Sequence, residues 1–471
     1  PAATDKDSKK KEPGTDLVIL ELGTPNRTTL NEVTEYQWNR DGAWLAYAVS
    51  VKEAPKAKDS AKDSAKEEVK PKDSPKVTYT DPAKEGVYLW RASEGKATPM
   101  LLGKGSYKGL VTDELGGQMA FLSNRDDVKA EAPTFKLYCW KDGEAAPQEV
   151  PTATAKGLPV GWVPSEHGRL DFTKDGARLF FGTAPAPKAE PKDAPDPVKV
   201  DLWHWKDAEL QPMQKVRAEE EKKRSFRAVF HVAEGTLAQL GSEEFPDIET
   251  NENPNVALGF APKAYLHLAS WDQAYADVYT VDLKTGTRKL LAKQLPWSRR
   301  SSDGPGRGSR LSPAGKYLFH FDGTAKAWML VPTEGGGAIN LTQNLKVAFH
   351  EEDHDMPDLP DPYGMAGWTA NDEALLAYDQ FDLWELKPTS ARNLTVGAGR
   401  EQKTSLRYLR LDPEEKTIPT NRPLMLSGVH DATKGTGFFR ASWNATAPAR
   451  LIWGDQLMGG LQKAKNTDTA I

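Results

Sequence analysis

The sequence has a single cysteine, Cys139, among 471 residues. A disulfide framework within the chain is therefore excluded, and so is any zinc site that needs several thiolates. Cys139 sits in the apolar run Leu137-Tyr138-Cys139-Trp140 and reads as filler of a buried strand. Long apolar runs are also missing: no stretch approaches the ~18 residues of a membrane-spanning helix. A surplus of either charge is absent, because 62 basic residues stand against 67 acidic ones for a net charge of −5. With no long basic stripe, nucleic-acid binding has no support. No signal peptide precedes the first residue, which is Pro1 rather than Met. The expectation is a processed or excised piece, and these features fix no compartment.

The motifs of nucleotide chemistry are lacking too. Neither G-x-x-x-x-G-K-[ST] nor G-x-G-x-x-G occurs, and no cofactor is expected. The nucleophile elbow G-x-S-x-G is absent; Gly103-Lys-Gly105-Ser106 and Gly306-Arg-Gly308-Ser309 have other spacings and read as loop glycines. The chain also lacks the alternation of strands and helices that builds an α/β-hydrolase sheet, so no catalytic residue is assigned.

What is present is aromatic and repetitive. The chain has 14 Trp, 13 Tyr and 15 Phe, residues suited to pleated, half-buried surfaces. Its low mean hydropathy of −0.62 is concentrated in residues 1–14, 52–84 and 184–198, which are rich in Lys, Asp, Ser, Ala and Pro. Such segments bury too little apolar surface to offset their ordering entropy and read as solvated loops or disorder.

Outside them two units alternate. One is a short aromatic-aliphatic strand: Asp16–Leu20, Val87–Trp90, Lys136–Trp140, Asp201–Trp205, Asp277–Leu283, Lys326–Leu330, Phe381–Leu386 and Gly437–Arg440. Several copies lead to a second strand ending in Ile339-Asn-Leu-Thr342 or Asn393-Leu-Thr395. The other is a turn feeding an apolar strand, as in Arg40-Asp-Gly-Ala-Trp-Leu-Ala-Tyr47, Lys174-Asp-Gly-Ala-Arg-Leu-Phe-Phe181 and Ser312-Pro-Ala-Gly-Lys-Tyr-Leu-Phe319. Glycine there accepts the positive φ that tight turns require. Four strands repeating at this period predict an all-β protein, a β-propeller of about seven to eight four-stranded blades over residues 15–471. The count gives seven complete blades, a strand pair at the start and a lone strand near Leu457–Lys463, which places the end of the chain inside a truncated blade. Residues 207–226 do not fit; they read as a short charged helix or an extended excursion and are assigned to a projecting loop.

Candidate chemistry is sparse. His350-Glu351-Glu352-Asp353-His354 satisfies H-E-x-x-H, a zinc motif only when helical. Prolines 357, 360 and 362 follow and forbid a continuing helix, so a solvated acidic loop is expected. Two loops remain as binding candidates. The acidic loop, through Glu351 and Glu352, can meet an amine or a cation. The basic glycine-rich loop 297–310, through Arg299 and Arg300, can meet a carboxylate or an acidic partner.

The Asp-Gly turn-strands alternating with Asp277-Val-Tyr-Thr-Val-Asp-Leu-Lys-Thr-Gly286 resemble TolB-like propellers. Together with Asp201–Asp207, Leu210–Met213, Ser270-Trp-Asp272 and Gly459–Lys465, they resemble more closely the N-terminal propeller of bacterial prolyl oligopeptidase family serine peptidases. That resemblance implies a gate and filter for peptides entering a separate α/β-hydrolase domain, which would hold the Ser, Asp and His and is absent here. It also implies a periplasmic or secreted location, peptide as substrate, and no membrane insertion. In the dipeptidyl-peptidase branch a Glu pair holds the substrate amine; Glu243-Glu244 and Glu351-Glu352 are both such pairs, and neither context carries the role over. A free-standing TolB-like propeller that binds a protein is the alternative.

Overall fold

The hairpin turns are built on one hydrogen-bond pattern. A Ser, Thr, Asn or Asp opens the turn, and its side chain accepts the N–H of the residue five positions on. Asn39 does this to Trp44 at 3.1 Å, Asp113 to Gln118 at 2.7 Å and Thr173 to Arg178 at 3.1 Å. Ser312 does it to Tyr317 at 2.9 Å, and Thr369 to Ala374 at 3.0 Å. Each opener's own N–H donates to the carbonyl of that same residue. The turn is thereby closed twice, and the strand after it starts in fixed register. The Asn-Leu-Thr copies work in a related way. Asn340 and Asn393 accept the N–H of Thr342 and Thr395, both at 2.9 Å. Those hydroxyls accept the N–H of Trp328 at 3.2 Å and Leu383 at 3.1 Å, tying the outer end of the sheet to its third strand.

The structure is a computed structural model that describes residues 14–24, 26–51, 77–80, 84–154, 156–189, 200–297, 308–464, 467 and 469–471. Its internal contacts divide the chain into two units, residues 1–200 with 217–239, and residues 201–216 with 240–471.

The first unit holds three sheets. The first sheet runs Thr15–Leu20, Arg27–Trp38, Trp44–Val49, Gly86–Arg91, Lys96–Leu102, with Val77–Thr80 lying parallel on the start of Arg27–Trp38. The second runs Tyr107–Thr112, Gln118–Ser123, Lys136–Lys141, Gln148–Glu149. In the third, Trp162–Pro164 and Asp171–Phe172 both pair with Arg178–Pro185, followed by Phe226–His231 and Thr236–Gln239.

The second unit holds four sheets of four strands each. The fourth sheet is Asp247–Glu249, Val256–Ala261, Tyr275–Asp282, Arg288–Pro296, and the fifth is Arg310–Leu311, Tyr317–Asp322, Ala327–Pro332, Ile339–Asn340. The sixth is Met365–Trp368, Leu375–Tyr378, Leu383–Lys387, Ser390–Asn393, and the seventh is Thr404–Tyr408, Leu424–His430, Thr436–Ala441, Ala449–Gly454. Sequence order equals spatial order within each of them, and these strands are antiparallel to their neighbours. Successive antiparallel meanders of this kind are the blades of a β-propeller, the fold class read from the sequence.

Packing explains why the middle strands are apolar throughout instead of alternating. In Trp44–Val49 every residue is buried. Trp44, Ala46 and Ala48 face a core shared with Met119, Phe121 and Trp140 of the second sheet, while Leu45, Tyr47 and Val49 face the opposite side with Leu30 and Tyr88. The second sheet divides likewise: Met119 and Phe121 go one way, Ala120 and Leu122 the other, toward Leu179 and Phe181 of the third. In the second unit Leu375 and Ala377 join Phe319 and Trp328 of the fifth sheet, whereas Leu376 and Tyr378 join Leu406 and Leu426 of the seventh. The second and sixth sheets, each between two others, bury both faces, so period-two alternation disappears from their middle strands.

Two readings need correction. Asp201–Trp205 forms no strand, because the place beside Arg178–Pro185 is taken by Phe226–His231. The segment instead turns through the His204 N–H donated to Asp207 at 3.3 Å. Residues 207–226, read as a short charged helix or an extended excursion and assigned to a projecting loop, contain the helix Gln211–Lys222, the first of those alternatives; it has Pro212 in its first turn, where a missing N–H costs nothing. Of the polar stretches, residues 1–13, 52–76 and 190–199 lie outside the described residues.

Candidate functional site

Arg27–Trp38 of the first sheet, Tyr107–Thr112 of the second and the segment 166–172, which includes Asp171–Phe172 of the third, border a cleft of about 600 Å³. Its walls come from residues 35–37, 109–112 and 166–172, so each sheet contributes a short piece. The strands are knitted together at their backbones. Glu35 Oε2 accepts the Leu110 N–H at 3.0 Å, and the Thr112 hydroxyl donates to the Trp38 carbonyl at 3.3 Å. Irregular pairing between Val33 and Glu35, and between Lys108 and Val111, bends both strands at the cleft, the usual consequence of a bulge.

Its charges are fixed by neighbours. Glu166 forms an ion pair with Lys108. Asp171 lies between Arg169, at 2.5 Å, and Arg227, whose guanidinium also covers the Phe180 ring at 5.0 Å. A wall of paired carboxylates and guanidiniums on rigid strands suits the recognition of a polar chain, which offers its own amides and charges. Cys139, the only thiol, belongs to the core between the second and third sheets, and burial pushes it up to about 12. It is therefore protonated at neutral pH and is no nucleophile.

The structure places Glu351 and Glu352 together at a turn between the fifth and sixth sheets, in the second unit. Both side chains are exposed. The backbone holds the loop: the Glu351 N–H donates to the Asp361 carbonyl at 2.8 Å, and the Glu352 N–H to the Tyr363 hydroxyl at 3.1 Å. Burial, then the charges of Glu352, Asp353 and Glu351, raise the Tyr363 phenol. His350 and His354 do not share a helix face. His350 pairs with Pro362 as an isolated bridge, and His354 Nε2 lies 2.6 Å from Asp358 Oδ1. Burial lowers the His350 imidazole, with Lys326 adding to the effect. Among the described residues no group of three or more His, Cys, Asp or Glu side chains is placed to hold a metal. Arg299 and Arg300 lie outside the described residues. Glu244 lies within electrostatic reach of Arg288, whose guanidinium stacks on Phe245 at 4.5 Å and donates to the Leu240 carbonyl at 2.7 Å.

The cleft residues Glu35, Glu166, Arg169 and Asp171 were missed from the sequence. They match no motif, being spread over more than a hundred positions and brought together only by the sheet repeat. The signal available was positional: Glu35 lies on Arg27–Trp38, and Glu166, Arg169 and Asp171 lie on or beside Trp162–Pro164 and Asp171–Phe172.

No family model and no curated protein matches the sequence. Among solved structures the chain is similar to TolB from Acinetobacter baumannii, at 10% identity over 69% of this chain and 64% of that one, with a TM-score of 0.25. It is similar to dipeptidyl peptidase 4 from Porphyromonas gingivalis, at 10% identity over 93% of this chain and 58% of that one, with a TM-score of 0.35. The β-propeller domain of the Trilobed protease from Pyrococcus furiosus matches at 6% identity over 89% of this chain and 96% of that one, with a TM-score of 0.28. The chain thus spans under two thirds of the first and second of these structures. At such scores the fold class rests on the sheets themselves.

Proposed function

We propose that this chain is the non-catalytic propeller of an exported, prolyl oligopeptidase-like serine peptidase, filtering peptides on their way to a separate α/β-hydrolase domain. The observation that carries the reading is the cleft in the first unit, walled by pieces of three consecutive blades and lined by ion pairs held in place. It offers groups that bind a peptide backbone and termini. A division of labour follows, with recognition on this scaffold and chemistry on another. Export to the periplasm or beyond belongs to this reading.

The test is to read the coding sequence through Ile471 and assay its full product. A continuing frame with G-x-S-x-G, then Asp and His, is expected. That product should hydrolyse short proline-containing peptides, leave folded proteins intact and lose activity to a serine-directed phosphonate. A stop codon directly after Ile471 overturns the reading and leaves a propeller that binds a protein segment in the same cleft.

A further inference from the structure

Residues 201–216, all in the second unit, carry an unusual density of exposed apolar side chains. They are Leu202, Trp203, Trp205, Leu210, Met213 and Val216, with Trp203 66% and Trp205 85% exposed. Scattered apolar residues on a surface need no explanation, but six exposed ones within sixteen consecutive positions mark an interaction site. The helix Gln211–Lys222 that continues the segment has no buried residue. Twelve residues of helix without a packed face are marginal in water.

The segment is nonetheless held in one shape. Lys215 forms an ion pair back to Asp201 at its start, and Gln214 donates to the Glu209 carbonyl at 2.8 Å. The N–H groups of Met213 and Gln214 both donate to the Leu210 carbonyl, and the Lys206 ammonium sits 5.0 Å over the Trp205 ring. A preformed surface loses little entropy when it is covered.

We infer that this surface joins two copies of the chain in an isologous dimer. Two arguments select a second copy. The first is area. Two tryptophans offer on the order of 150–250 Å² each, and with the four aliphatic and thioether side chains the patch approaches the ~800 Å² per partner of a standard interface. The second is charge. Lys206 and Lys215 stand among Asp201, Asp207 and Glu209, a mixture with no surplus to steer the patch to an anionic membrane or a strongly charged partner. A patch carrying both signs around an apolar centre is complementary to itself, as a twofold interface requires. Trp203 and Trp205 are the anchors, since buried tryptophans dominate such interfaces.

Sedimentation of the 471-residue chain decides it. The chain is expected to be a dimer at micromolar concentration. The Trp203→Ser/Trp205→Ser double variant should dissociate on the order of 100-fold more readily, with unchanged backbone circular dichroism, since neither side chain is buried in the single chain. A wild-type chain that stays monomeric overturns the inference, whether or not it binds zwitterionic vesicles, as does a double variant that dimerises as tightly as the wild type. Neither result bears on the gating reading, which rests on the first unit.

Discussion

His320 lies in the strand Tyr317–Asp322 on the face it shares with Leu318, 4% exposed, its Nδ1 without a partner among the described residues. Burial lowers its imidazole to about 4, against a smaller pull upward from Asp322. The unfolded chain binds a proton there near pH 6.5, and the folded chain only near pH 4. The unfolded state therefore gains as pH falls between those values, while above pH 6.5 the histidine adds no pH dependence. The loss amounts to about 3 kcal/mol at full extent, given ~1.4 kcal/mol per unit. His320→Asn should flatten that part of the curve. Urea unfolding of both proteins at pH 7 and pH 4.5 measures it, and an unchanged difference between the two pH values refutes it. The sequence Leu318-Phe-His-Phe321 is legible as a strand. The titration is not, because it depends on what covers the strand and on which face.

The turn between the first two strands of the fifth sheet shows what a repeated element adds to its sequence. Ser312 accepts the Tyr317 N–H and donates its own proton to Asp372 Oδ2 at 2.6 Å. Asp372, 2% exposed, also accepts the N–H groups of Ala314 at 2.9 Å and Lys316 at 3.1 Å. A carboxylate of the sixth sheet thus closes a turn of the fifth. Asp372→Ala leaves three donors without an acceptor and should cost about 3 kcal/mol, with Asp372→Asn losing roughly half of that. Chemical denaturation reads both, and equal midpoints for the two variants would refute the role. The same turn holds Gly315 at φ +77°, where an added Cβ would meet Asn253 Nδ2 at 2.2 Å. Gly42, at φ +69° in the corresponding turn of the first sheet, has nothing within 4 Å. Gly42→Ala should therefore cost about 1 kcal/mol for backbone strain alone, and Gly315→Ala about 2 kcal/mol or more. The turns were legible from Asp-Gly and Pro-Ala-Gly. Asp372 was not, since it lies sixty positions from the hydroxyl it serves.

At the scale of the molecule, the repeat was legible because each blade needs the same turn chemistry and the same doubly buried middle strands. The misassigned Asp201–Trp205 shows the limit of that signal: its aromatic alternation matches a blade strand, yet the exposed side chains of Trp203 and Trp205 face no sheet. The cleft escaped for the opposite reason, its residues being ordinary polar members of different strands. One device between sheets recurs in both units. Glu35 Oε2 accepts the Leu110 N–H at 3.0 Å, and Glu249 Oε1 accepts the Leu311 N–H at 3.2 Å, each reaching from a strand of one sheet to the first strand of the next. Burial raises the Glu249 carboxyl, with Arg310 opposing. A raised folded value means that the protonated side chain favours folding. That contribution is present below the ordinary carboxylate range and is lost as pH rises through the folded value. At pH 7 the buried charge is consequently a cost, while the hydrogen bond it accepts is a gain. Glutamine keeps the acceptor and removes the charge, so Glu249→Gln should raise the urea midpoint at pH 7 and raise it less at pH 4.5. Glu249→Ala, which abandons the Leu311 N–H, should be about 1 kcal/mol less stable than the glutamine variant at either pH. A glutamine variant less stable than wild type at pH 7 would mean that attraction to Arg310 outweighs desolvation, making the ionised carboxylate, not its neutral form, the tie between the fourth and fifth sheets.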